Sequence, residues 1–513
     1  MNEDNDNIEQ QPEEPREGPP ETPQPEAPAP PEAEPALPAL EGAQPAPEAE
    51  QARAVTEHHR RSRIREDLEA IILAIIFVIV IRQYVAEAYK IPTGSMEPTL
   101  MGNSNGRENG DNIIVDKMYY WFNPVQRWDV VVFKFPVPEK YKMPIDGSYD
   151  LDGNGEPRSP GMEDENSNGG KQGKGRYVYF HRNFIKRCVA LPGEAIWIKR
   201  GDIYITNDSG LNGEIPEKPP EAQNALWQRV YFCDFGSGKP FDEQWRIKNQ
   251  AGMATRQGRL SADAGAGNEI ALELSQIMDY RIGENNEQIA TDRNEYGKNY
   301  TGDIMIETAA TFGDKDSSLV LEIVEDDCLY TVSLGPAGST VSWRLGGETT
   351  DARAVTEKVD FAFSPGVEHK IRFINVDDRL SLMVDGKTAW GVHHFAKNEV
   401  PVISQHGAGN AAAAIRITRG KMTFGSLNIY RDIYYTSNGE QYKYAVNAPY
   451  HVPDGCYFAM GDNSPISSDS RVWGTFPRKY LIGKACFVFF PFYPVVDVAK
   501  KKLEWRSRLK LIR

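Results

Sequence analysis

The segment Ile91–Leu100 (IPTGSMEPTL) places a serine between glycine and methionine, with prolines on both sides. Such a segment turns sharply and lifts Ser95 out of regular structure. A serine hydroxyl becomes a nucleophile only beside a base, and histidine is the usual one. The eight histidines of the 513-residue chain offer little. His58 and His59 precede an apolar run, and His369, His393, His394 and His406 fall in a region of alternating strands. His181 and His451 have no triad-like setting. A lysine can replace histidine where burial makes its amine neutral near neutral pH. Lys186, in NFIKRCVALPGE, stands among Phe184, Ile185, Val189 and Leu191 and suits such desolvation. Spacing by itself leaves Ser95 with Lys186 as one pairing among several, and a structural serine in a turn as the plainer reading.

Short β-strands must position these two residues. From Tyr84 to about Thr206, apolar runs (DNIIVDKMYY, WDVVVFKFP, RYVYFHRNFIKRCVALP, AIWIKRGDIYIT) alternate with Gly, Pro and Asp, as hairpin-connected strands do. Residues 146–175 interrupt them with a long polar loop. Asp150, Asp152, Asn154 and Gly155 in it imitate the start of a calcium loop, but position twelve is Gly161 instead of a bidentate Glu. An acidic turn is the better reading.

Residues 220–435 form a separate unit with strand periodicity and turns at short intervals (SLVLEIV, LYTVSLG, HKIRFINV, RLSLMVDGKTAW, AIRITRG), the pattern of an all-β sandwich. HKIRFINVDDRLSLMVDGKTAW resembles the late hairpin of concanavalin-like and laminin-G-like jelly rolls. Trp227, Trp245, Trp343 and Trp390 are read as sandwich core, with a sugar-stacking surface as the alternative.

Charge is unevenly placed. The net charge is −15, and residues 1–50 alone hold 14 acids, one base and 13 prolines. That tail has too little apolar surface to fold and reads as an extended spacer or docking arm. The remainder is near neutral, which excludes a nucleic-acid partner of the usual basic kind. Residues 51–67 carry a basic patch (Arg53, Arg60, Arg61, Arg63, Arg65), followed by the apolar run Ala70–Ile81 and then Arg82. The strictly apolar run is 12 residues, against ~20 for a full bilayer span. It has no polar face, however, and arginines flank it, so 68–83 is read as a membrane anchor with the N-terminal tail cytoplasmic. Residues 499–513 hold seven bases and one acid after the aromatic run 487–493, which suits either a membrane-surface contact or a final edge strand. The five cysteines have no C-x-x-C spacing, which speaks against zinc and leaves room for one or two disulfides.

Five blocks, IPTGSMEPTL, GDNIIVDK, RWDVVVFKFP, FIKRCVALPGE and GDNSPISSDSRVWG, occur in this order. Together they resemble the successive boxes of bacterial type I signal peptidase, a membrane-bound Ser-Lys protease of the secretion pathway. The resemblance covers residues 68–203 and 440–495. It implies a mainly β chain: a catalytic domain in two parts (84–219 and 436–498) behind a single membrane helix, interrupted by the sandwich at 220–435. By resemblance Ser95 is the nucleophile and Lys186 the general base, and Ser467 orients the lysine amine. The Ser95 N–H and the Thr93 hydroxyl form the oxyanion hole, while Asp469 and Arg471, with Asp462 and Asn463, support the site. Tyr89, Ile91, Met96, Leu100, Phe184 and Ile185 match shallow substrate pockets, Met96 and Ile185 foremost. Gly193 and Gly461 mark tight turns or close approaches.

The implied partners are signal peptides of preproteins, membrane lipid and the secretion translocon, with no cofactor and no metal. The catalytic domain would then face the extracytoplasmic, periplasmic side of the cytoplasmic membrane. A carbohydrate or protein ligand of the sandwich is a further expectation. Two other readings compete: a self-cleaving repressor-type protease, and a membrane-anchored glycan- or protein-binding sandwich with a relict protease domain. The first lacks a DNA-binding segment. The second sits poorly with intact Ser95, Lys186 and Ser467.

Overall fold

The computed structural model describes residues 65–102, 110–135, 183–206, 213–233, 235–236, 241, 244–265, 268–279, 299–325, 328–344, 355–394, 412–490, 492–497, 502–507 and 510–512. The tail 1–50, the loop 146–175 and His58, His59, His181 and His406 lie outside them.

The first element is a helix, Arg65–Val85, of 21 residues with no buried share. At about 1.5 Å per residue it is about 31 Å long, close to the thickness of a hydrocarbon core. It is longer than the expected 68–83 because the polar turn before the apolar run is helical too, with Arg65 bridging Glu69 at 2.8 Å one turn on.

The residues on either side of the insert form an antiparallel sheet. Its strands include β1 (Ala86–Lys90), β2 (Asn112–Asp116), β3 (Val130–Lys134) and β4 (Asn183–Ala190). The order runs β1, β2, Leu481–Phe490, β3, β4, Cys456–Met460 and Phe476–Pro477. The second sequence segment is therefore threaded between strands of the first. Nearly continuous apolar residues in β3 follow from burial on both faces. Val130 and Val132 pack with Ile113, Val115, Ala485 and Val488, whereas Val131 and Phe133 face Tyr120, Cys188, Tyr457 and Phe476. A smaller sheet joins Tyr450–His451 to β5 (Ala195–Lys199) and β6 (Asp202–Thr206). The chain end adds Lys510–Leu511 to the main sheet beside Phe487 and Val488, so the basic tail closes as a strand.

The insert is a sandwich organised by one 19-residue strand, Ala413–Arg431. Its first half pairs with Ile270–Leu274 and Ser318–Glu325. Beyond Arg419 it pairs with Arg259–Ala264, Ile304–Phe312 and Gln228–Phe232. The two layers enclose a core that includes Phe312, Leu321, Phe373 and Phe424. Trp245, Trp343 and Trp390 are buried in that core at 7%, 5% and 7% exposure, so three of the four tryptophans are packing residues. Trp227 is half-buried outside it.

The junction lies inside the expected limits 220–435. Helix α1 (Pro220–Leu226), with Ile433 and Tyr435, packs into a protease core containing Trp128, Val189 and Phe458. All five cysteines are free thiols, so the disulfides entertained from the sequence are not made.

Candidate active site

Ser95 sits in a single 3-10 turn, Gly94–Met96, between β1 and β2. Lys186 is the fourth residue of β4, on the same face as Phe184 and Cys188 by the strand's two-residue period. The fold brings together these two residues, 91 apart in sequence: Lys186 Nζ lies 2.5 Å from Ser95 Oγ. The lysine is 2% exposed, with its amine 5.8 Å from the Phe184 ring centroid. Ser95 is half-buried and Thr93 exposed, the Thr93 hydroxyl donating toward Ser95 Oγ at 3.5 Å.

The GDNSPISSDSR segment holds this pair from behind. Asn463 donates its backbone N–H to the Ser95 carbonyl at 3.1 Å and its side-chain amide to the Gly94 carbonyl at 3.0 Å. Asp469 accepts from Arg471 Nε at 2.9 Å and Nη2 at 2.7 Å, and from the Gly461 N–H at 3.1 Å. Arg471 also donates to the Thr436 and Ser464 carbonyls, both at 2.6 Å. Its charge survives complete burial: desolvation opposes it, but Asp469 outweighs that and raises the guanidinium pKa above its ordinary value.

Asp462 has a partner that the sequence reading missed. Arg187, directly after the lysine, donates to both Asp462 oxygens at 2.8 and 2.7 Å, and neither side chain has accessible surface. Burial opposes the Arg187 charge, and the Asp462 carboxylate more than offsets it. This bidentate pair ties β4 to the loop that clamps Ser95. The available signal was the second basic residue of FIKRC, unexpected in an apolar strand unless paired. Asp111 was missed as well; its carboxylate accepts the Met101 N–H at 2.8 Å and its carbonyl accepts the Ile91 N–H at 2.8 Å, closing the base of the nucleophile loop.

Two expectations change. Ser467 is 3% exposed, but its hydroxyl has no hydrogen-bond partner among the described residues, so the bond expected from it to the lysine amine is not made. Ile91, Met96 and Leu100 are core residues at 3%, 0% and 0% exposure, and a side chain without accessible surface offers none to a peptide. Tyr89, Phe184 and Ile185 are half-buried. Tyr89 donates to Glu87 at 2.7 Å and accepts from Asn183 at 3.4 Å; burial and then Glu87 push its phenol up.

Gly193 has φ +83, as a tight turn requires. Gly461 is present for room: a Cβ there would lie 2.2 Å from Ser467 Oγ and 2.4 Å from the Ser95 carbonyl oxygen. Gly461→Ala is expected to displace the turn that carries Ser95 and to lower any activity that depends on the Ser95–Lys186 contact at least about tenfold, since small misplacements of reacting groups cost this much or more. An unchanged rate in Gly461→Ala would show that the contact yields freely.

Among the described residues, neither His451 nor His369 joins the site. His451 is exposed on the small sheet, and His369 lies in the insert with Nδ1 2.8 Å from Asp385. Cys188 is no rival nucleophile, because burial and then Asp129 push its thiol well above the usual range. Among the described residues, the carboxylates of Asp202, Asp303 and Asp377 have oxygens within 4.8 Å of one another. They lie at the root of the insert, where Lys218 Nζ contacts Asp377 Oδ1.

A family profile described as "Signal peptidase, peptidase S26" matches residues 64–249 and 411–490, more than half of the chain. The chain belongs to this signal peptidase family. Residues 250–410, which hold most of the sandwich, fall outside the match. Among curated relatives, this chain is 28% identical over 158 residues to a probable signal peptidase I-1 of Synechocystis sp., covering 31% of this chain and 59% of that protein. It is 28% identical over 170 residues to signal peptidase I of Leptolyngbya laminosa, covering 33% and 63%. Over a shorter stretch of 88 residues it is 44% identical to a probable signal peptidase I of Mycobacterium leprae, covering 17% and 30%. The chain thus spans about three-fifths of the length of the first two relatives. Among solved structures, a laminarinase catalytic domain from Thermotoga maritima aligns with 40% of the chain and 99% of its own at 14% identity, with a TM-score of 0.24. So slight a likeness carries no weight for what the insert does.

Proposed function

We propose that this peptidase is a membrane-anchored endopeptidase that removes signal peptides with a Ser95–Lys186 dyad. The observation that carries the reading is the 2.5 Å approach of a buried lysine amine to a serine hydroxyl held in a clamped turn. Burial of an amine favours its neutral form, the form able to accept a proton. Lys186 Nζ takes the Ser95 proton as Oγ attacks the scissile carbonyl. The Ser95 N–H and the Thr93 hydroxyl would receive the developing oxyanion. The resulting ammonium gives its proton to the departing amine, so the peptide bond breaks and an ester to Ser95 forms. A water deprotonated by the same lysine hydrolyses that ester and restores the serine.

The substrate chain fits as an added strand. Among the described residues β1 is terminal in the sheet order, and its outer edge would pair with an extended peptide. Tyr89, Phe184 and Ile185 border that track. Ser95 follows the end of the apolar helix by only ten residues, which suits a cleavage site emerging from a bilayer. The orientation rests on the arginines before the helix, which favour a cytoplasmic N-terminus and an extracytoplasmic catalytic domain.

Incubating the full chain in detergent with a purified preprotein tests the activity, the expected product being the mature protein cut after a small residue. Liposome flotation tests the anchor. The full chain is expected to float with the lipid, and a chain lacking residues 65–85 to lose at least about nine-tenths of that association. Equal flotation of both would place the membrane contact elsewhere.

A further inference from the structure

Trp128 pays for its position twice. It is a non-glycine residue at φ +74, a region costly for a bulky side chain, and it is 4% exposed. Its contacts explain why that strain persists. The indole N–H donates to the Glu217 carbonyl at 3.1 Å, and the ring lies 5.3 Å from Lys218 Nζ. On its backbone side, the Trp128 carbonyl accepts from Arg187 Nη1 at 2.8 Å and its N–H donates to the Cys188 carbonyl at 2.7 Å. One residue thus grips the strand carrying Lys186 and the segment from which the insert departs.

That segment is in turn fastened to the sandwich. Lys218 is 5% exposed and contacts Asp377, in the turn between strands Glu368–Val376 and Arg379–Val384. It also lies 2.8 Å from Asp432, the first residue after the long sandwich strand. Arg379 reaches back to Glu217 at 2.6 Å. The insert is therefore joined to the protease by buried charge as well as by its two chain connections. The path from Asp377 to Lys186 runs through Lys218, Trp128 and Arg187 with no gap.

We propose that Trp128 and Lys218 are positioning residues through which the docked sandwich holds the general base in register with Ser95. The proposal rests on the dyad reading above and adds that the insert takes part in the chemistry through the base's supports. Loss of the link is expected to slow the chemical step while leaving peptide binding unchanged, because neither residue belongs to the proposed peptide track.

Steady-state cleavage of a signal-peptide substrate by the full chain tests this. Trp128→Phe removes the indole N–H and keeps an aromatic ring, while Lys218→Met removes the charge and keeps the stem. Each is expected to lower kcat on the order of five- to tenfold with KM within about twofold, and Lys218→Arg to restore most of the loss. The double variant is expected to be no slower than the slower single one, as for residues on one path. Wild-type kcat in both singles, equal changes in kcat and KM, or fully additive losses would overturn the proposal. Should Lys218→Met not fold, Trp128→Phe decides alone. Cleavage retained by Ser95→Ala would instead overturn the dyad reading, so the two failures are distinguishable.

Discussion

Ser95→Ala and Lys186→Met are each expected to reduce preprotein cleavage at least about 10⁴-fold, the scale of losing a nucleophile or its base. Both variants should keep the wild-type fold by circular dichroism and thermal unfolding. Methionine suits the lysine site because it fills most of the volume of the buried stem without bringing a charge. Lys186→Arg should be equally inactive, since a guanidinium stays protonated and cannot take the serine proton. A double variant should be no slower than either single one, because the two groups act as a unit. Residual cleavage by Ser95→Ala above about one part in a hundred would move the nucleophile elsewhere. His369, His451 and Cys188 lie or titrate away from that role.

The approach of Ser95 to Lys186 was legible because the blocks that carry them are short, ordered and chemically dense. Five segments carried the resemblance, and the fold sets three of them around one hydrogen bond. The strands were legible for a simpler reason. In β2, alternate residues are buried, and in β3 both faces are covered, so period and run length were sufficient. What escaped was pairing at long range. Arg187 and Asp462 are 275 residues apart, and nothing local in either segment names the other. Trp128 looked like part of a strand block, whereas its meaning lies in a positive φ and in contacts with Glu217 and Lys218.

Exposure was illegible too. Met96 was expected, by the family resemblance, to line a pocket, but the turn directs it inward to full burial. The packing at the insert's junction was illegible for a related reason. Helix α1 follows turn residues as an insert's first element would, but Ala222 and Leu226 supply apolar surface to the protease core.

The buried pair carries the largest expected effect on stability. Asp462→Ala leaves Arg187 with no accessible surface and no carboxylate on its two-pronged face. Removing one partner of such a pair typically costs 3–5 kcal/mol, because the remaining charge is stranded in a medium that cannot solvate it. Urea unfolding of Asp462→Ala is therefore expected to show a loss of about 3–5 kcal/mol, and Arg187→Ala a similar one. Replacing both partners by apolar residues, Arg187→Met with Asp462→Leu, removes the stranded charge and should recover most of that stability. Activity should behave differently. The loop that donates from Asn463 to the Ser95 and Gly94 carbonyls is held to β4 by this pair, and an apolar replacement fills space without fixing direction. The double variant is thus expected to be stable but at least about tenfold slower in kcat. Full recovery of both stability and rate would mean that packing alone aligns lysine and serine. Recovery of stability alone would assign the ion pair to geometry, which its two-pronged contact with the residue after the base already favours.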